Sequence, residues 1–197
     1  MAEVLAPMKV MVQLTGKTAL VQHNIRLADK LDDYTKAIAE ITGKRKKTEA
    51  DEADIGKLEW FGGLYYDSET GIYIPAWNVV RCFERAATIT RMGASLVRAF
   101  AVSTDKLPLH HEGPAKPEKL WELPEYQWRT TVGVQRARVT RVRPIFRRWS
   151  LELEAELLED VLDPDDLRRI IDLAGRSEGL GDARKLGYGR FTAEVVM

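Results

Sequence analysis

Nine residues, WSLELEAEL at positions 149 to 157, alternate without interruption. Leu151, Leu153, Ala155 and Leu157 fall on one side; Glu152, Glu154 and Glu156 fall on the other. Successive side chains of an extended strand point to opposite faces, so this segment reads as a half-buried strand with one face on a core and one in water. Whatever the rest of the chain does, it has to cover that apolar face.

The flanking sequence supplies candidates for the cover. Lys9 to Leu14 reads as a strand, and Leu20 and Val21 extend it after the break at Thr15-Gly16-Lys17. A helix starting at Asn24 or Asp29 runs through Ile41, with Leu27, Leu31, Tyr34 and Ile38 at helical spacing. It stops at Gly43, before Lys44-Arg45-Lys46-Lys47. Thr48 leads an acidic helix, EADEADIGKLEWF, that ends at Gly62-Gly63. Residues 64 to 74 read as a hairpin turning over Asp67 to Gly71. Pro75 opens a helix over roughly 76 to 90 with Val79, Val80, Phe83, Ala87 and Ile89 inward.

Leu96 to Val102 then reads as a strand. Residues 103 to 128 hold four of the eight prolines with His110 and His111, and read as a long loop. Thr130 to Val142 alternates through Val132, Val134, Ala137, Val139 and Val142, as one long strand or two with a bend. Asp163 caps a helix with Pro164 in its first turn and Leu167, Ile170, Ile171 and Leu173 as its stripe. Phe191 to Val196 closes the chain as a strand. This α+β order resembles an elaborated ferredoxin-like (RRM-like) core: an antiparallel sheet with helices on one face. The expectation is a single RRM-like domain over 1–197, with a helical insertion at about 25–62 and a long loop insertion at about 103–128.

A chain of 197 residues suits one well-buried core better than two. Without an uncharged apolar run of about eighteen residues, no membrane span is expected. The start, MAEVLAPMKVMVQL, places Glu3 ahead of any apolar stretch, unlike a signal peptide. The single cysteine, Cys82, excludes an internal disulfide and fits a reducing compartment, so the expected location is cytoplasmic. Lysine plus arginine and aspartate plus glutamate number 30 each, yet their distribution is uneven. Arg129, Arg136, Arg138, Arg141, Arg143, Arg147 and Arg148 lie in one stretch without a carboxylate. Eight carboxylates from Glu152 to Asp166 lie in the next without a cation. Such segments either pair across a hairpin or form separate basic and acidic faces, which a head-to-tail homo-oligomer would also use.

Several familiar motifs fail on inspection. Leu14-Thr15-Gly16-Lys17-Thr18 lacks the first P-loop glycine, since Met11 stands there, and extended residues follow it; Lys17 remains a single candidate phosphate contact. The three histidines, His23, His110 and His111, have no metal-ligand spacing, and neither metal nor cofactor is expected. His23, among Gln22, Asn24 and Arg26 at a strand end, is the one candidate general acid or base. Cys82 reads as a small core residue. The stretch GLGDARKLGYGRF, 179 to 191, opens like a dinucleotide fingerprint, but Arg184 occupies its third glycine position and a helix precedes it.

In that stretch Gly179, Gly181, Gly187 and Gly189 permit positive φ and close approach, so free N–H groups can form an anion-binding concavity. Arg184, Lys185 and Arg190 supply charge and Tyr188 a ring that can stack on a base. A plain helix-to-strand connection made soluble by its charges fits equally well.

The pattern Gly179, Gly181, Arg184, Gly187, Gly189, Arg190, Phe191, between a helix and a final strand, resembles the C-terminal glycine-rich signature of the RAMP superfamily. These are RNA-binding proteins of CRISPR effector complexes, built on ferredoxin-like folds. Thr18 to Asn24 after the opening strand, and Tyr73-Ile74-Pro75-Ala76-Trp77-Asn78 leading into a helix with Arg81 and Arg85, look similar to its backbone-forming subunits. The resemblance implies a non-enzymatic protein that lines up along single-stranded RNA or DNA, as a homo-oligomer, a ribonucleoprotein subunit or a compact phage or plasmid relative. Contact would be to phosphates and by stacking, without base-specific readout. The residues expected to carry it are Arg184, Lys185, Arg190 and Tyr188, joined by Lys17, His23 and Arg26. Arg81, Arg85 and Lys44 to Lys47 follow. Two other classes remain open: a metal-independent endoribonuclease using His23, and a phage structural or interaction protein that acts on protein partners only.

Overall fold

The computed structural model describes residues 6–134 and 137–197. Glu3, Arg136 and the side chains of Val132, Val134, Ala137 and Arg138 lie outside the described residues, and so do the expectations placed on them.

The half-buried strand is the backbone of the main sheet. β10 (Trp149–Leu157) pairs antiparallel with β1 (Met8–Gly16), Val12 opposite Leu153 and Leu14 opposite Leu151. β11 (Phe191–Val196) lies on the other side of β1, and β5 (Phe100–Val102) on the far side of β10. The order β11-β1-β10-β5, with every neighbour antiparallel, is that of a ferredoxin-like core. Its helices are α3 (Ala76–Ile89) and α6 (Pro164–Leu173), placed between β1 and β5 and between β10 and β11.

The periodicity explains how they cover the sheet. Val10, Val12, Leu14, Leu151, Leu153 and Leu157 join Val79, Phe83, Ala87, Leu167, Ile170 and Ile171 in one buried cluster. Asp163 caps α6 by accepting the N–H of Asp165, as the sequence suggests. The opposite face of the sheet is open, and Lys9, Met11, Glu152, Glu154, Glu156, Glu194 and Val196 are exposed there.

Two long segments interrupt this core. Between β1 and α3 come β2 (Leu20–Val21), α1 (Asp33–Thr42), α2 (Glu49–Gly63), β3 (Tyr66–Asp67) and β4 (Gly71–Pro75). Thr48 and Asp51 close a capping box on α2, and the hairpin over 64–74 forms as anticipated. Between β5 and β10 come β6 (Lys106–Pro108), β7 (His110–His111), α5 (Pro117–Trp121), β8 (Gln127–Val134) and β9 (Ala137–Phe146). Among the described residues no helix is long and apolar enough to cross a membrane.

The structure corrects several local expectations. Leu20 and Val21 do not extend β1; they form β2 and pair with Phe146 and Ile145 of β9. Leu96 to Val102 is mostly α4 (Gly93–Ala99), with only its last three residues extended. The apolar pattern at Leu96 and Ala99 serves a helical turn equally well, and short runs cannot separate the two states. The helix anticipated from Asn24 or Asp29 begins only at Asp33, behind a short 3₁₀ turn at Ile25–Ala28. Ile89 is 60% exposed, because the inward stripe of α3 ends at Ala87. The proline-rich segment 103–128 contains two strands and a helix. Of the two readings of Thr130 to Val142, the two-strand one holds: β8 and β9 pair antiparallel, Val134 opposite Ala137. Charge pairing between the arginine-rich and acidic stretches does not occur among the described residues: Arg141, Arg143 and Arg148 pair with Glu59, Asp182 and Glu112 instead.

Candidate functional site

The glycine segment owes its shape to what it is stitched to. After α6 a π-helical turn, Ala174–Glu178, delivers Gly179 at φ +73°. The chain then doubles on itself, and Leu180 donates its N–H to Gly189 O at 2.9 Å. Gly189 donates to Ala19 O at 2.8 Å and Asp182 to Val21 O at 2.8 Å, so the segment lies along the strap between β1 and β2. Thr18 completes the attachment: its hydroxyl donates to Gly187 O at 2.8 Å and accepts the N–H of Arg190 at 2.9 Å. A methyl group at Gly181 or Gly189 would fall on the carbonyl of Val21 or Leu180. These glycines serve close internal packing. The anion concavity anticipated here is closed at Leu180, Asp182, Gly189 and Arg190, whose N–H groups are already donated to the protein.

What the segment does create is one wall of a groove of about 440 Å³. The other wall is α3, where Trp77, Arg81 and Arg85 recur every four residues and so share one face. Arg184 stands on the glycine side, and Gln22 and His23 close one end. Trp77 is 52% exposed. Arg81 is held by Glu84 one turn on, at 2.5 Å, whereas Arg85 and Arg184 form no ion pair among the described residues. Asp182, the carboxylate of the groove, is engaged by Arg143. Below the groove lies Cys82, whose thiol donates to Gly179 O at 3.2 Å and is pushed up to about 12 by burial. The charges of Arg184, Arg190 and Arg85 oppose that rise without overcoming it.

Gln22 fixes the closed end. It is buried, its amide donates to Tyr73 O at 3.1 Å, and its oxygen accepts the N–H of Tyr65 at 2.8 Å. His23 is therefore held where β2 ends, facing both this groove and a second one of about 270 Å³ lined by Glu59, Arg141 and Arg143. Glu59 is buried and accepts from Arg141 and from the Val142 N–H at 3.1 Å. Surrounding protein, then the Arg143 guanidinium, hold the His23 imidazole below its ordinary value; Glu59 opposes them.

The remaining expected residues are dispersed. Lys17 is exposed and contributes its backbone N–H to Arg190 O. Arg26 is drawn away to Asp32 at 2.9 Å and lies over the Tyr34 ring. Lys185 is exposed in the middle of the 3₁₀ turn Arg184–Leu186. Tyr188 packs against Trp128 of the hairpin, ring centroids 5.3 Å apart. Arg190 keeps one guanidinium nitrogen buried without a partner among the described residues. Lys44 pairs with Asp51, while Lys47 lines a third groove between α2 and β9. His110 is exposed as expected, but His111 packs against Phe146 and accepts the N–H of Gly113 at 3.1 Å. Sequence reasoning missed Trp77 and Asn78 as groove residues, and Glu59 and Arg143 as neighbours of His23. The Trp77–Arg81–Arg85 spacing was visible; the partners of His23 come from distant segments and carry no local signal.

No family model matches the chain, and no curated protein matches its sequence. Among solved structures, the crystal structure of Cmr6 from Pyrococcus furiosus is similar at 12% identity, over 96% of this chain and 100% of that one, with a TM-score of 0.36. Function therefore rests on the geometry of the grooves.

Proposed function

We propose that this protein binds single-stranded nucleic acid in the groove between α3 and the glycine segment, as a binder and not as an enzyme. The observation that carries this reading is the row Trp77, Arg81, Arg85 facing Arg184, in a chain with no net charge. Guanidiniums hold phosphates bidentately, and an exposed indole gives a base a stacking platform of any sequence. The open sheet face, where an RRM-like protein would offer aromatics, carries Glu152, Glu154, Glu156 and Glu194 instead, which repels a polyanion. The glycine signature's resemblance to RNA-binding proteins points to the same ligand class.

Anisotropy of a labelled unstructured oligonucleotide tests the proposal. Binding is expected at low salt and falls as salt rises. Arg85→Ala with Arg184→Ala lowers the slope of log affinity on log salt by about 0.7 for each phosphate that is no longer neutralised. No binding at low salt removes the reading.

A second reading, RNA cleavage by His23, is favoured by one observation: the imidazole lines the same groove as Arg143 and Arg141, which suit a developing negative charge. RNA hairpins left intact in EDTA, or cut equally by the His23→Ala variant, dispose of it.

A further inference from the structure

The α3 groove does not stop at His23. That side chain also lines the second groove, and the second groove shares Arg141 and Val142 with the third, a space of about 790 Å³ between β9 and α2. We infer that the three grooves are one track for an extended single strand, entering at Trp77, passing His23 and following β9 to Arg129 and Lys47. This rests on the nucleic-acid reading above and adds to it a path and a minimum length.

Each stage of the track carries more cationic than anionic side chains. At the waist, Arg143 and Arg141 are fixed by Asp182 and Glu59. A guanidinium has five N–H donors, so each retains donors beyond those its carboxylate takes. A fixed donor is already ordered before the ligand arrives, which lowers the cost of binding. At the far stage, Arg129 is steadied by Gln127 at 2.9 Å and by the Trp121 ring at 6.0 Å. Glu49 and Glu52 stand on the α2 side of that stage, which directs phosphates to the hairpin side, where Arg129 and Arg141 are. The alternative surface, the open sheet, offers only Lys9 against four glutamates. A strand held at Trp77 therefore finds favourable charge in one direction, toward β9.

The length dependence of binding tests the track. Oligouridylates of about 4 and about 16 nucleotides span the usual range of single-strand site sizes. For the native protein, affinity is expected to climb steeply between them. Lys47→Ala with Arg129→Ala flattens that climb, weakening the longer oligonucleotide by about tenfold at low salt. Arg85→Ala with Arg184→Ala weakens both lengths. Circular dichroism melts confirm that each variant is folded. An undiminished climb in Lys47→Ala/Arg129→Ala overturns the track and leaves the α3 groove standing. Equal weakening of the two lengths by that variant also overturns it, since the far stage would then not be a separate contact. Failure of the native protein to bind either oligonucleotide overturns the nucleic-acid reading itself.

Discussion

Gly187 and Gly189 are two residues apart, and both have positive φ, +88° and +72°. A methyl group on Gly187 meets nothing within 4 Å, whereas on Gly189 it falls on the Leu180 carbonyl. Gly187→Ala is therefore expected to cost only the left-handed backbone penalty, about 1–2 kcal/mol. Gly189→Ala adds a backbone collision and should cost on the order of 3–5 kcal/mol or prevent folding, as urea titrations of the two variants would show. Trp77→Ala leaves the core intact, because half of its indole is in solvent, and should weaken oligonucleotide binding by roughly 1–3 kcal/mol. At this scale the sequence was informative where the residue type itself is constrained. The glycines announced an unusual backbone, and the four-residue spacing of Trp77, Arg81 and Arg85 announced one helix face. The packing of Tyr188 against Trp128 of the hairpin has no local signal, since the two residues are joined only by the fold.

The elements differ in how their stability responds to acid. β7 is two residues long, and it is anchored by His111, whose ring accepts the Gly113 N–H and packs on Phe146. Burial, then the neighbouring His110, hold that imidazole below its ordinary 6.5. An unfolded chain then takes up the proton first, so the contribution of His111 is complete above about 6.5 and is lost as pH falls below it. His23 acts with the same sign. The cap of α2 and the β3–β4 turn respond lower: Lys44 beside Asp51 and Lys106 beside Asp67 hold both carboxyls to about 2. Their contribution is complete above about 4 and lost toward pH 2. The urea midpoint should fall in two stages, and His111→Gln should reduce the first and spare the second. Thr48→Ala should cost about 1 kcal/mol through the missing cap. Elements with strong punctuation, such as α2, α6 and β10, were legible in the sequence. The short strands β2, β6 and β7 were not, since two or three residues carry no periodicity and exist only because β9, β4 and β10 lie beside them.

For the whole molecule, the zero net charge hides a local imbalance: four glutamates stand on the open sheet face, while the grooves carry more guanidiniums and lysines than carboxylates. Converting Glu152, Glu154, Glu156 and Glu194 together to glutamine should leave the fold unchanged and strengthen oligonucleotide binding at low salt, with the gain vanishing as salt rises. If that variant loses binding, the sheet face takes part after all. The ferredoxin-like order was readable because each core element has its own pattern. The grooves were not, because their walls come from residues about 60 to 160 positions apart, joined only by the fold. The same long-range wiring has a consequence for synthesis. Met8 finds its partner in Leu157, and Met11 finds one of its partners in Val196. During synthesis β1 must wait roughly ten seconds or more, at ordinary elongation rates, before these neighbours exist. Through that interval Val10, Val12 and Leu14 are an uncovered apolar edge, a natural target for a chaperone that meets the chain early.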